Sequence, residues 1–122
     1  MDFSEFGKEL DRETKKLEAE SRIWEKEFRH AMSEREKAHE YEKLNKPELA
    51  ISTYLENINY CQSSKKINGI STYAHDINRV IILYGKTGQK ELLKEFLTEN
   101  IALHPEMRGI EKWKDRLAKL NQ

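Results

Sequence analysis

One spacing pattern occurs twice in this 122-residue chain, and it restricts the fold more than any other feature. Ala38, Tyr41, Ala50 and Tyr54 are separated by three, nine and four residues, and Ile81, Tyr84, Leu93 and Leu97 repeat those separations. Each set has a break after its tyrosine, Asn45-Lys46-Pro47 in the first and Thr87-Gly88 in the second. Side chains three or four apart share one helix face, so each set reads as two antiparallel helices seated closely across a tight turn. With the flanking segments, this spacing predicts an all-α chain of five helices, near 4–44, 47–61, 71–87, 89–103 and 108–120, and no sheet. Tyr41, Ala50, Tyr54, Tyr84, Leu93 and Leu97 are the expected core contacts. Ser71 is the expected cap of the third helix.

Composition sets how much core such a chain can build. Hydrophobic residues make up 37%, below the roughly 45–50% of an average domain, and charged residues 36%, above the average of about 25%. The expected core is thin and the solvated surface large. The 22 basic residues balance the 22 acidic ones, which argues against nucleic acid as a partner, because phosphate binding needs a basic excess. A single cysteine, Cys61, excludes an internal disulfide and suits a reducing compartment. No apolar run approaches the roughly 20 residues of a membrane span, and the charged start is unlike a signal peptide. A cytoplasmic protein that does not enter a membrane is expected.

From Lys8 to Lys46 there is no glycine or proline, and 22 of those 39 residues are charged, eleven of each sign. Asp11–Lys15, Glu18–Arg22 and Glu25–Arg29 place acid before base at four-residue spacing, each pair adding about 0.2–0.5 kcal/mol to a helix. Asp2 or Ser4 supplies the expected N-cap. The first helix would be about 60 Å long at 1.5 Å per residue. Phe3, Phe6, Leu10, Leu17 and Trp24 form a sparse apolar stripe on it. Leu10, Leu17, Trp24, Ala31 and Ala38 recur every seven residues, but three residues after each come Glu13, Glu20, Glu27, Glu34 and Tyr41, so on this phasing the heptad is half filled. The expectation is a 1–30 charged extension, with Leu10, Leu17 and Trp24 as self-association residues of a weak homodimer or as a dock for a partner helix. Antiparallel pairing would let the glutamates meet Lys15, Arg22 and Lys26 of another copy. Apolar content rises from Ile23 onward, where core packing is expected to begin.

The doubled pattern resembles the tetratricopeptide repeat (TPR), a helix–turn–helix unit of nominally 34 residues. The matching residues are Ala38, Tyr41, Glu48, Ala50 and Tyr54 in one unit, and Tyr84, Gly88, Glu91 and Pro105 in the next, with Leu93 and Leu97 in its last two core positions. The final amphipathic helix, with Ile110, Trp113, Leu117 and Leu120, is similar to the cap that ends such arrays. The units here lie 43 residues apart, with nine extra residues between Tyr60 and Ser71. Ile81 and Leu93 stand where small residues are usual, which implies looser packing there. The resemblance implies a short right-handed solenoid of helical hairpins over 31–122, with a long N-terminal helix and a C-terminal capping helix. It also implies a non-enzymatic scaffold or adaptor binding a protein or peptide in a concave groove. Carried over by spacing, the partner-binding residues are Arg35, His39 and Lys43 on the first unit, then His75, Asn78, Ile82 and Lys86 on the second. Such a surface suits an acidic or carboxylate-bearing segment. The alternative is a structural subunit that assembles through its N-terminal helix.

Three motifs have a chemical appearance. Gly85-Lys86-Thr87 ends like a phosphate loop, but Val80 stands where that loop needs glycine and a helix, not a strand, leads in. Glu27–His30 and Glu36–His39 share the Glu-x-x-His spacing of di-iron bundles. Both lie on one helix, about 13 Å apart and facing opposite ways, so no shared metal is expected. Cys61 has no adjacent histidine to activate it. No catalytic set and no cofactor are expected.

Overall fold

The computed structural model describes residues 3–122, apart from the side chains of Phe3, Ser4 and Phe6. The expected N-cap at Asp2 or Ser4 therefore lies outside the described residues. Five helices follow in order: α1 Phe3–Lys43, α2 Pro47–Ser63, α3 Ile70–Lys86, α4 Lys90–Leu103 and α5 Ile110–Leu120. No strand occurs among the described residues. None of these helices is long and apolar enough to cross a membrane.

The doubled spacing corresponds to a doubled turn. After α1, Asn45 takes φ 56°, the Lys46 N–H donates to the Tyr41 carbonyl at 2.9 Å, and the Ala50 N–H donates to the Lys46 carbonyl at 3.1 Å. After α3, Gly88 takes φ 71°, the Gln89 N–H donates to the Tyr84 carbonyl at 3.0 Å, and the Leu93 N–H donates to the Gln89 carbonyl at 3.0 Å. These are Schellman closures, in which a left-handed residue lets the chain satisfy the last helical carbonyls and turn back. Asparagine and glycine tolerate that conformation best. Every partner in the second turn lies 43 residues beyond its counterpart in the first.

α2 packs against α1 and α3, and α4 against α3 and α5. Side-chain bonds also join α1 to α3, from Arg35–Asp76 to Glu42–Arg79 further along both helices, and α5 follows α3 from Trp113 on Asn78 to Arg116 over Gly85. The odd-numbered helices therefore run in one direction. The core is thin, as composition requires: Ala31, Ala38, Ala50, Tyr54, Ile77, Val80 and Leu97 are wholly buried. Ile81 and Leu93 are buried as well.

Four expectations need correction. Tyr41 is only half-buried at the rim of the core. Ile23 and Trp24 are exposed, and the first buried side chain of α1 is Ala31. The cause is the length of α2, whose end reaches only His30 and Glu27: the His30 and Tyr60 rings lie 4.2 Å apart and the Ser64 hydroxyl donates to the Glu27 carboxylate. No described element extends far enough to cover the earlier turns. Ser71 lies inside α3, whose N-cap is Gly69 with no side-chain bond. Finally, α2 runs two residues past the expected end, and the rest of the insertion is a loop organised by Ser64. Its hydroxyl oxygen accepts from the Lys66 and Ile67 N–H groups, both at 3.1 Å, and Ile67 is tucked into the core.

Leu93, 1% exposed, is expected to lose about 2–5 kcal/mol on Leu93→Ala. Leu17, 66% exposed, is expected to lose less than about 0.5 kcal/mol on Leu17→Ala. Urea denaturation of both variants checks the pair.

Candidate functional site on the face shared by α1 and α3

Two polar triads cross the junction of the first three helices, each with one member per helix. In the first, Arg35 of α1 donates from Nε to Asp76 Oδ1 of α3 at 2.5 Å and from Nη2 to the Thr72 carbonyl at 2.5 Å. Asn57 of α2 donates from Nδ2 to Asp76 Oδ2 at 2.6 Å and to the Ala31 carbonyl at 3.1 Å. The Asp76 side chain is fully buried and that of Arg35 is 17% exposed. In the second triad, Glu42 of α1 accepts two hydrogen bonds from the Arg79 guanidinium of α3, that from Nε at 3.2 Å. It also accepts the Tyr54 phenol of α2 at 2.5 Å.

The acid and base change sides between the triads. α1 supplies the cation in one and the anion in the other. Burial works against the charge of Glu42, but the hydrogen bonds from Arg79 and Tyr54 outweigh it and hold the carboxyl below its usual range. Burial, then the neighbouring Glu42, pushes the Tyr54 phenol well up, so it stays a donor. Buried charges of this kind are stabilising only while every member keeps its partner. Asn57 Oδ1 is the one buried side-chain polar atom without a partner among the described residues. Turning the amide would set that oxygen against Asp76, so the observed orientation is fixed by repulsion.

Between the triads, His39 of α1 and His75 of α3 approach with their Nε2 atoms 2.9 Å apart. One ring must be the Nε2–H tautomer and the other an acceptor. His75 is held below its usual pKa, first by burial and then by the positive neighbours Arg35 and His39, partly offset by Asp76. The two rings, with Glu42, Lys43 and Arg79, line a shallow open cleft. A second cleft at the turns is lined by Glu42, Pro47 and Lys86, among others.

The seven residues expected to bind a partner divide into two groups. Arg35 is committed to Asp76 and Thr72, and Asn78 accepts the Trp113 indole N–H of α5 at 2.9 Å. These two lie 43 residues apart in sequence, and each fastens its helix to the next odd-numbered one. His39 and His75 come together. Lys43 reaches only Glu40 of its own helix, at 3.1 Å, and stays exposed. Ile82 and Lys86 are exposed on α3. The residues that sequence reading missed are the triad members Asp76, Asn57, Glu42 and Arg79. One signal was available: Asn57 and Asn100 are both buried and again lie 43 residues apart.

The chemical motifs resolve plainly. Gly85 and Lys86 belong to the last turn of α3. Arg116 of α5 lies over Gly85, where a Cβ would stand 2.5 Å from its Nη2. No group of three or more His, Cys, Asp or Glu side chains is placed to hold a metal ion among the described residues. Burial, with Asp76 nearby, pushes the Cys61 thiol up to about 11, which removes it as a nucleophile near neutral pH. No family model matches this chain, and neither does any curated protein or solved structure.

Asp76→Ala strands Arg35 and Asn57 and is expected to cost about 3–5 kcal/mol in chemical denaturation. The pH dependence has a separate origin. His75 and His104 both titrate below the ordinary 6.5, His104 through burial. Below that value the unfolded chain binds more protons than the folded one, so stability falls as pH drops from 6.5 toward the lower folded pKa. The lowered pKa of Glu42 matters only below about 4.5. The thermal midpoint is therefore expected to be lower near pH 5.5 than near pH 7.5, and His75→Gln is expected to reduce the difference.

Proposed function

We propose that the chain is a non-enzymatic interaction module, similar to a short tetratricopeptide array, that holds an acidic peptide segment along α1 and α3. Residues 31–122 form the module on this reading, and residues 1–30 are an extension of its first helix. The observation that carries it is the unspent pair His39–His75 beside Lys43, in a shallow cleft whose other ionic groups are already matched. Arg35 and Arg79 set the spacing of the two helices and leave recognition to the histidine pair, Lys43 and Lys86. A carboxylate entering the cleft would accept a hydrogen bond from a ring N–H of the pair and form an ion pair with Lys43. Ile82 would supply the apolar contact. The doubled Schellman turns support a repeated unit, and the shared direction of the odd helices supports a groove made by first helices.

A peptide library displayed on phage and selected on the immobilised chain tests this. Acidic sequences are expected to be enriched. A selected peptide is expected to lose at least about tenfold in affinity to Lys43→Glu combined with His75→Gln, with the helical circular dichroism unchanged. Absence of enrichment, or affinity indifferent to that double variant, would sink the proposal.

A further inference from the structure

The exposed part of α1 carries a second surface, distinct from the cleft. Phased four residues after Leu10, Leu17 and Trp24 instead of three, the companion positions of the heptad are uncharged where the other phasing places glutamates. Gly7, Leu10, Thr14, Leu17, Ser21, Trp24, Phe28 and Ala31 alternate by three and four residues, and none is charged. Leu10, Leu17, Trp24 and Phe28 are 49, 66, 45 and 37% exposed. Trp24 and Phe28 stack with their ring centres 5.1 Å apart. This row has the three-and-four alternation of a coiled-coil seam and runs about 36 Å from Gly7 to Ala31.

The borders of the seam carry one sign. Asp11, Glu18 and Glu25 follow it on one side and Glu13, Glu20 and Glu27 on the other, with no basic residue among them. The bases lie behind: of the charged positions on the far face between Lys8 and Arg29, all but Glu9 are Lys or Arg. Two copies of this helix would therefore set acid against acid in either orientation, because parallel pairs join opposite borders and antiparallel pairs join like ones. The bases of a second copy, Lys15, Arg22 and Lys26, face away from the seam. The seam also continues an interface already made. Ala31 and Ala38 extend the same row and are buried under α2, which ends at Ser63 beside Glu27. Beyond that point the same face is uncovered.

We propose that the Gly7–Phe28 seam docks an amphipathic helix of another protein whose own apolar stripe is bordered by lysines or arginines, laid in line with α2. Apolar seam contact provides the hold, and the acidic borders select against a second copy and against acidic helices.

The test uses the full chain and three labelled synthetic helices of four heptads, followed by fluorescence anisotropy. The first has a leucine seam with lysine borders, the second the same seam with glutamate borders, and the third lysine borders with a glutamine seam. Only the first is expected to bind, with affinity falling at least about tenfold between about 50 and about 300 mM salt. Leu17→Glu, at an exposed position that leaves the core intact, is expected to abolish that binding. Glu18→Lys with Glu20→Lys is expected to shift preference toward the glutamate-bordered helix. Equal binding of the glutamine-seam helix, or indifference to Leu17→Glu, would overturn the proposal. So would a dimer of the unmodified chain at neutral pH in sedimentation that Leu17→Glu dissolves, since that would give the seam to a second copy.

Discussion

The exchange of charge between α1 and α3 is the interaction on which the rest of the fold depends. A chain with this little apolar content cannot fix three helices by hydrophobic contact alone. Arg35–Asp76 and Glu42–Arg79 supply two ionic contacts of opposite polarity, each completed by a hydrogen bond from α2. A helix slipped along its neighbour so that Arg79 met Arg35 would bury like charges, at a cost of several kcal/mol. The swap therefore specifies register as well as contact. It also explains why the face between α1 and α3 stays shallow and polar: the charges that would attract a ligand are consumed in holding the helices, and only the histidine pair and outlying lysines are left over.

The helices and their order were legible because helix content, turn position and repeat spacing are local properties of the chain. The 43-residue offset carried through to individual hydrogen bonds at both turns. What the sequence obscured was the fate of polar residues. Arg35 and Asn78 have the composition of a binding surface, yet both are fasteners between helices. Asp76 is adjacent to His75 in sequence, but one points into the junction and the other toward the cleft. A helix turns about 100° per residue, so neighbours in sequence take different environments, and only the position of α2 decides which becomes buried. The start of the core was misplaced for a related reason. Ile23 and Trp24 are apolar enough for a core, but a residue is covered only where another element reaches it, and α2 stops one turn short.

The same heptad phase runs along α1 from Gly7 to Glu42, and its polar content changes where α2 begins to cover it. In the uncovered half the intermediate seam positions are Gly7, Thr14, Ser21 and Phe28, uncharged and bordered by acids. In the covered half they become Arg35 and Glu42, the two α1 members of the triads. One helix thus presents two chemically different halves along one face. The α2–α3 unit recognises the charged half through Asp76 and Arg79, and it could not slide onto the uncharged half without leaving both of those side chains buried and unmatched. An outside helix faces the reverse problem. On the charged half it would have to displace two completed ionic triads, whereas on the uncharged half it meets apolar side chains already exposed and a border of single sign. The division at Ala31 follows from that change of residues at every seventh position, without any break in the helix.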